Sequence, residues 1–173
     1  MEMELQQLSK PKLLAEIHVL SKGVLDSNMG GSKLAVFNEN TEVRKTGGNG
    51  NGQSFVRIIP IDGHSVKIIR QDDTHDDFSD QIGFKNPHKI QSGISMSVAV
   101  GSDGNMSKGS FSPSDPRFPP ITKGESITVR FTNGRVSFTP STCSTTFTTD
   151  IPQDLVFGLA IYGQHHSWKL ERW

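Results

Sequence analysis

The sequence has very little cysteine: Cys143 is the only thiol in 173 residues. One thiol excludes an internal disulfide and any zinc site built from several cysteines, and it fits a reducing compartment. The sequence also lacks an apolar run long enough to cross a bilayer or to form a signal sequence. We therefore expect a cytoplasmic protein that makes no contact with a membrane.

An excess of charge of either sign is also missing. Lys and Arg together number 18, Asp and Glu together number 18, and the formal net charge is zero. Proteins that bind nucleic acid usually carry a positive field that attracts phosphate groups. The balance of charges predicts that this chain does not bind nucleic acid.

Motifs of catalysis are absent as well. The sequence contains no G-x-S-x-G, no phosphate-binding loop ending in Gly-Lys-Ser/Thr, no H-E-x-x-H and no G-x-G-x-x-G between a strand and a helix. Enzymes frequently carry such a motif, because a nucleophile, a base or a phosphate must be held by a tight local turn. We expect a protein that is not an enzyme, with no catalytic residue, no cofactor and no metal.

Helical periodicity is confined to residues 9–26, where Leu13, Ile17, Leu20 and Val24 fall on one stripe. The pattern predicts an N-terminal helical segment over residues 1–30 and a β-domain over residues 31–173. Two interpretations of the stripe remain open. It packs on the β-domain, or it continues a coiled coil that lies upstream in a longer protein and would allow the chain to dimerise.

After residue 31 the periodicity becomes alternating, which is typical of strands with one buried face. Gly, Asn and Asp separate the apolar runs, and Asn133-Gly134 is the preferred pair for a two-residue type I′ hairpin turn. We count about eight to ten short strands with no helices between them, which predicts an all-β, two-layer antiparallel β-sandwich with one short N-terminal helix. The runs lie at residues 34–37, 55–61, 66–69, 94–100, 127–131, 135–138, 145–148, 155–162 and 167–170.

The most concentrated polar segment is the loop at residues 72–80, which carries five aspartates. Carboxylates are ligands for Ca²⁺, but this spacing does not match an EF-hand loop. We interpret the segment as a solvated acidic loop, for which a basic partner peptide is as plausible a ligand as a cation. His165 and His166 are adjacent, so on a strand they point to opposite faces and chelate a metal poorly. They are interpreted as exposed loop histidines.

The aromatic residues divide into two groups. Those inside strand patterns are expected in the core: Phe37, Phe55, Phe84, Phe131, Phe138, Phe147 and Phe157. Those in predicted loops or at the end are candidate anchors for a ligand: Phe78, Phe111, Phe118, Trp168 and Trp173. Combined with the polar loops, this predicts a partner-binding surface containing Asp73, His75, Asp76, Phe78, Arg117, Phe118, His165, His166 and Trp168.

Three segments together resemble the SPRY and neuralized-homology group of concanavalin-like sandwiches. They are Asp80-Gln-Ile-Gly-Phe84, the hairpin from Gly124-Glu125 to Phe138, and the strand that ends in Tyr162-Gly163-Gln164. The resemblance implies recognition of a protein or peptide through the loops at one end of the sandwich, commonly as the substrate-selecting part of a ubiquitin ligase. It also implies that the N-terminal helix joins the domain to upstream modules, as in tripartite-motif proteins.

Two other functions are compatible with a β-sandwich. A galectin-like lectin would bind a glycan on an aromatic platform, although the sugar-binding series of galectins is not found and Asn86-Pro87-His88 is its nearest counterpart. A jelly-roll structural subunit would form a stable oligomer through flat contacts between copies.

Overall fold

The structure is a computed structural model that describes residues 24–50, 52–107, 111 and 117–173. It is nearly all β, which confirms the predicted class. The strands are β1 (Leu25–Gly30), β2 (Leu34–Phe37), β3 (Glu42–Lys45), β4 (Phe55–Ile58), β5 (Ser65–Arg70), β6 (Gln81–Lys85), β7 (Val98–Gly101), β8 (Met106–Ser107), β9 (Ser126–Thr132), β10 (Arg135–Pro140), β11 (Phe147–Asp150), β12 (Val156–Ala160) and β13 (Ser167–Arg172). One turn of 3₁₀ helix covers Pro87–Lys89.

The strands form two antiparallel sheets that pack face to face. One sheet has the order β1-β4-β12-β6-β7-β8, and the other has the order β11-β10-β9-β5-β13-β3-β2. Strands that follow each other in the sequence often lie in different sheets or are not neighbours within one sheet. The loops that connect them therefore lie at the two ends of the sandwich. These ends are where a β-scaffold can vary its surface without disturbing the core.

The β9–β10 hairpin has the turn that the sequence predicts. Its register pairs Thr132 with Arg135, and the two residues between them have positive φ, 51° at Asn133 and 74° at Gly134. A type I′ turn needs positive φ at both positions, which Asn and Gly adopt at little cost. The predicted hairpin is confirmed.

The core lies between the sheets and is built from alternating strand residues. In β9, for example, Ile127, Val129 and Phe131 are buried while Arg130 is exposed. Six of the seven phenylalanines expected in the core are buried. The seventh, Phe37, is only half-buried, because it lies on edge strand β2, where Arg44 covers its ring at 5.8 Å.

The N-terminal boundary differs from the prediction. Leu25–Gly30 is a strand that pairs with β4, and not the end of a helix. Pairing with β4 gives the backbone of this segment its hydrogen bonds and buries Leu25 in the core, which the apolar spacing alone does not reveal. The rest of the predicted helix, with Leu13, Ile17 and Leu20, lies outside the described residues.

The segment at residues 94–100 also differs. Only Val98–Gly101 forms a strand, and Ile94 lies in an irregular stretch with 52% of its surface exposed. Strands β1, β3 and β8 were not predicted, because they have too few alternating apolar residues. They lie at or near the edges of the sheets, where backbone pairing holds a strand that buries few side chains. Within the described residues, no helix has the length and apolar character needed to span a membrane.

Candidate functional site

A groove of about 500 Å³ opens at the end of the sandwich where β5 finishes and β6 starts. The loop at residues 72–80 forms one wall, and residues 120–122 form the other. Its lining is Arg70, Thr74, His75, Asp76, Asp77, Phe78, Ser102, Asp103, Pro120, Ile121 and Thr122. A smaller pocket of about 150 Å³ adjoins it and is lined by Asp72, Asp73 and Lys123 together with four residues that also line the groove or flank it.

Asp80 anchors the groove wall from below and is fully buried. Its Oδ2 accepts hydrogen bonds from Trp168 Nε1 at 2.7 Å and lies 2.9 Å from His166 Nδ1. Its Oδ1 accepts the backbone N–H of Tyr162 at 2.9 Å. A buried carboxylate is tolerated only with such partners, so Asp80 joins three strand ends into one rigid base.

His166 connects Asp80 to the acidic loop. It is fully buried, and its Nε2 lies 3.1 and 3.0 Å from the two carboxylate oxygens of Asp76, which lines the groove. Burial by itself would lower the pKa of His166, but the hydrogen bond and negative charge of Asp80 outweigh it and raise the pKa above its usual value. A protonated His166 can therefore donate to both aspartates and clamp the groove wall to the core.

A second clamp lies at the start of the loop. Asp72 accepts hydrogen bonds from Arg70 at 3.3 and 3.1 Å and from the Ser167 N–H at 2.8 Å. Burial would raise the pKa of Asp72, but these donors outweigh it and lower the pKa. Arg70 also lies over the ring of Trp168, with 5.8 Å between its Cζ and the ring centroid. Both ends of the acidic loop are thus fixed by buried ionic contacts.

The opposite wall is held through the β7–β8 turn. The Phe118 N–H donates to the Gly104 carbonyl at 3.1 Å, and the Ile121 N–H donates to the Ser102 carbonyl at 2.8 Å. Gly104 has φ of 88°, and a Cβ there would overlap the carbonyl of Phe118. Glycine is required at this close approach, which sets the distance between the turn and residues 118–121.

The predicted partner-binding residues fall into three sets. His75, Asp76 and Phe78 line the groove, and Asp73 lines the adjoining pocket. Arg117 and His165 are exposed outside the lining; Arg117 pairs with Asn105 in an isolated bridge, and His165 occupies a positive-φ position in the turn before β13. Phe118, His166 and Trp168 are buried.

The buried set corrects the expectation of exposed anchors. Trp168 has no exposed surface because β13 is a central strand that turns its ring inward, and Phe118 packs on Phe147 with 5.9 Å between ring centroids. His166 is not an exposed loop histidine, and the loop at residues 72–80 is not solvated throughout, since Asp72 and Asp80 point inward. Among the candidate aromatic anchors, Phe78 with 39% and Trp173 with 57% of the surface exposed present large faces to solvent, and of these two only Phe78 lines the groove.

The sequence did not indicate Arg70, Ser102, Asp103, Ile121 or Thr122 as parts of the site. Arg70 is the last residue of an apolar strand and Asp103 lies in a turn 23 positions after Asp80, so no local pattern links them to the loop. One signal was present: aspartates at 72, 76 and 80 recur every four positions, although the loop that carries them is not helical. The packing of the strands brings these three aspartates together.

The arrangement is suited to binding. Both ring nitrogens of His166 are occupied by carboxylates, so this histidine has no nitrogen left to activate a nucleophile. Among the residues that the structure describes, no group of three His, Cys, Asp or Glu side chains is placed to hold a metal ion. What remains at the groove is a firmly held acidic wall with one exposed aromatic ring.

Comparison with solved structures identifies the fold. A human SPRY domain superposes with a TM-score of 0.59 at 13% identity, over 82% of this chain and 96% of that chain. The SPRY domain of human HERC1 superposes with a TM-score of 0.59 at 12% identity, over 84% and 96% of the two chains. The fold is that of SPRY domains. The Drosophila melanogaster neuralized NHR1 domain shares this SPRY fold, with a TM-score of 0.51 at 12% identity over 85% and 96% of the chains.

The resemblance drawn from three sequence segments is confirmed as a resemblance of fold. No protein-family model matches the sequence, and no curated protein matches it. At 12–13% identity the likeness to these structures shows the fold alone, so the chemistry of the groove rests on the side chains of this chain.

Proposed function

We propose that this protein is a recognition module that binds a protein or peptide in the groove between residues 72–80 and 120–122, and that it does not catalyse a reaction. The observation that carries the proposal is the clamped wall: buried Asp80 and His166 hold Asp76 in place beneath an exposed Phe78. A preformed wall lowers the entropy lost on binding. The SPRY fold supports the proposal, because the sequence resemblance to that group implies protein recognition.

We further propose that the bound segment is basic. The groove lining contains Asp76, Asp77 and Asp103, while its one arginine, Arg70, is already paired with Asp72 at 3.1 Å. A lysine or arginine in the ligand would meet uncompensated carboxylates at Asp77 and Asp103, both of which are exposed. Its aliphatic stem can pack on Phe78, since cations and long side chains both bind aromatic faces.

Display selection with a random peptide library, followed by affinity measurements, tests the proposal. We expect selected peptides to be enriched in Lys and Arg. Their affinity should fall at least about tenfold with Phe78→Ala and with the pair Asp77→Asn and Asp103→Asn. The matched control is Ile94→Ala, which removes an exposed apolar side chain outside the groove and should leave the affinity unchanged.

Three results would contradict the proposal. The first is selection of peptides whose affinity does not change with Phe78→Ala or with the acidic pair of substitutions. The second is a blank peptide selection beside a glycan array on which the same protein binds specific sugars, which would favour the lectin alternative. The third is a stable oligomer at low concentration with no ligand for the groove, which would favour the structural-subunit alternative.

The finer role that we propose is substrate selection for a ubiquitin ligase in the cytoplasm. Its support is the SPRY fold together with the sequence resemblance, which implies this role, and a single cysteine, which fits a reducing compartment. The test is ubiquitylation of a partner, identified through its groove-binding peptide, in cells that express wild type or Phe78→Ala. Loss of ubiquitylation in the variant is expected, and unchanged ubiquitylation would overturn the role without touching peptide binding.

A further inference from the structure

His166 lies between two carboxylates that belong to different parts of the groove wall. Its Nδ1 is 2.9 Å from an oxygen of Asp80, and its Nε2 is 3.1 and 3.0 Å from the two oxygens of Asp76. Only the protonated imidazole has an N–H on both nitrogens, since the neutral ring has one N–H and one lone pair. Loss of a proton therefore leaves one of the two carboxylates facing a lone pair.

Asp80 is the carboxylate that keeps its donor. It is fully buried, and it also accepts hydrogen bonds from Trp168 Nε1 and from the Tyr162 N–H. Because solvent does not reach Asp80, a lone pair facing it costs more than one facing Asp76, whose side chain is 25% exposed. The neutral ring therefore keeps its proton on Nδ1 and turns the lone pair of Nε2 toward Asp76.

Asp76 connects this proton to the exposed aromatic ring of the groove. Its Oδ1 accepts the backbone N–H of Phe78 at 3.0 Å, and Phe78 lines the groove. When the N–H on Nε2 is lost, both oxygens of Asp76 face a lone pair, and hydration in the groove is the better alternative for this carboxylate. Phe78 moves with Asp76, because the two residues are joined by this hydrogen bond and lie only two positions apart.

The two ends of the acidic loop do not depend on this proton. At the start, Asp72 accepts hydrogen bonds from the guanidinium of Arg70, which stays charged, and from the Ser167 N–H. At the end, the backbone of Asp80 pairs with Ser102, which donates its N–H to the Asp80 carbonyl at 2.8 Å. Release of Asp76 is therefore confined to the middle of the loop.

The surroundings of the His166 ring favour its protonated form. Burial lowers the pKa of His166, but the hydrogen bond and charge of Asp80 and the charge of Asp72 outweigh burial and the opposing charge of Arg70, and the pKa is raised. The ring also packs on the turn at Gly163, where a Cβ would overlap it. The charged residues in contact with this network are Arg70, Asp72, Asp76, Asp80 and Lys45.

We propose that His166 is a pH-sensitive latch on the groove: its doubly protonated ring holds Asp76 and Phe78 in the position that binds the ligand, and loss of the Nε2 proton releases them. Because the pKa of His166 is raised, the latch is closed below about 6.5, its unfolded pKa, and opens as the pH rises through the folded pKa. The inference rests on the function proposed for the groove, and it adds the condition under which the groove binds.

Peptide affinity measured from pH 6 to pH 9 tests the latch. The probe is an N-acetylated groove peptide whose basic residues are all arginines, which stay charged over this range. We expect the wild type to bind at least about fivefold more weakly at pH 9 than at pH 6, because affinity falls with the population of the closed state.

Two variants should remove this pH dependence. His166→Gln has no titrating proton, and Asp76→Asn has no carboxylate for a lone pair to repel. The affinity of each should change less than about twofold over the same range. Asp76→Asn alters a side chain that is partly exposed, so the test does not depend on whether His166→Gln folds fully.

Other titrating groups are separated from the latch by controls. His165→Asn removes the neighbouring histidine, which is exposed outside the groove lining, and Asn tolerates the positive φ of 69° there. It should keep the wild-type pH dependence. Protonation of His75, which lines the groove, would repel a basic peptide and give the opposite sign. Burial lowers the pKa of Lys45 to about 8, and a contribution from Lys45 would persist in His166→Gln.

The protein without a peptide supplies a second readout. In a pH titration of ¹⁵N-labelled protein, the backbone amides of residues 76–78 should shift with the same midpoint as the ring nitrogens of His166. If no peptide binds at any pH while these amides follow the ring, the proposed function fails and the latch stands.

Two results would overturn the latch. One is a peptide affinity that stays constant from pH 6 to pH 9 with amides at 76–78 that do not follow His166, which would leave the proposed function intact. The other is a fall in affinity that is as large in His166→Gln and Asp76→Asn as in the wild type, which would assign the pH dependence to another group.

Discussion

The two ends of the sandwich are built by opposite means. At the groove end, buried Asp80 and His166 are joined to Asp76, Trp168 and Tyr162 by hydrogen bonds of 2.7 to 3.1 Å. At the other end, Phe84, Phe131 and Phe157 pack with centroid distances of 5.2 and 4.9 Å. One end is held by directional contacts between ionic groups, and the other by apolar packing.

One scaffold thus holds its two ends by contacts of different kinds. Directional contacts fix a loop in one position and leave acidic groups on its outer side, which suits selective binding. Packing of rings tolerates small shifts and responds little to pH or salt, because it depends on apolar contact and not on charge. Substitutions at the two ends should therefore change the free energy of unfolding by different amounts, and the change should depend on pH at the groove end only.

The largest effect is expected from Asp80→Ala. It leaves the Trp168 indole N–H and the Tyr162 N–H buried without an acceptor, and it leaves His166 with one carboxylate partner. Removing one partner from a buried ionic contact costs about 3–5 kcal/mol. Urea denaturation measures this loss of unfolding free energy. Asp150→Ala, which removes an aspartate with 91% of its side chain exposed, is the matched control and should change little. A loss at Asp80 as small as at Asp150 would mean that the network does not hold this end.

A smaller effect is expected at the apolar end from Phe157→Leu. The change removes two ring contacts, with Phe84 and Phe131, each worth about 0.5–1.5 kcal/mol beyond burial, so a total loss of about 1–3 kcal/mol is expected. The loss should be the same at pH 6 and at pH 7.5, since no titrating group is removed. A loss that varies with pH would break the contrast between the ends.

The pH dependence of stability should trace to His166. Its pKa is raised in the folded state, so it contributes stability that is complete below about 6.5, its unfolded pKa, and is lost as pH rises through the folded pKa. Unfolding free energies from pH 6 to 7.5 should therefore show an extra fall in the wild type that His166→Gln lacks. Lys45, whose pKa is lowered to about 8 by burial, contributes with the opposite sign only above that pH. Parallel pH curves for wild type and variant would contradict the clamp.

The smallest effect on stability is expected from Phe78→Ala, because 39% of the surface of Phe78 is already exposed. The midpoint of thermal unfolding should stay close to that of the wild type, while the affinity for a groove peptide falls at least about tenfold. A clear fall in the midpoint would show that Phe78 supports the loop, and binding data for this variant would then need Phe78→Leu as a second test.

The sequence predicted the parts of this fold that depend on local pattern. Alternating apolar residues located β9 and β10, and Asn133-Gly134 located their turn, because both signals lie within a few positions. It did not predict the burial of Trp168, since that depends on β5 and β3 lying on both sides of β13. The same holds for the groove, where the acidic loop was recognised but its buried anchors, Asp80 and His166, meet across 86 residues of chain.

The most direct measurement is to titrate a selected basic peptide into uniformly ¹⁵N-labelled protein and to map which backbone amides shift. We expect the shifts to cluster at residues 74–78, at Ser102 and Asp103, and at Ile121 and Thr122, which together line the groove. Shifts centred instead on residues 59–62 and 151–157, at the apolar end, would contradict the assignment of recognition to the charged end.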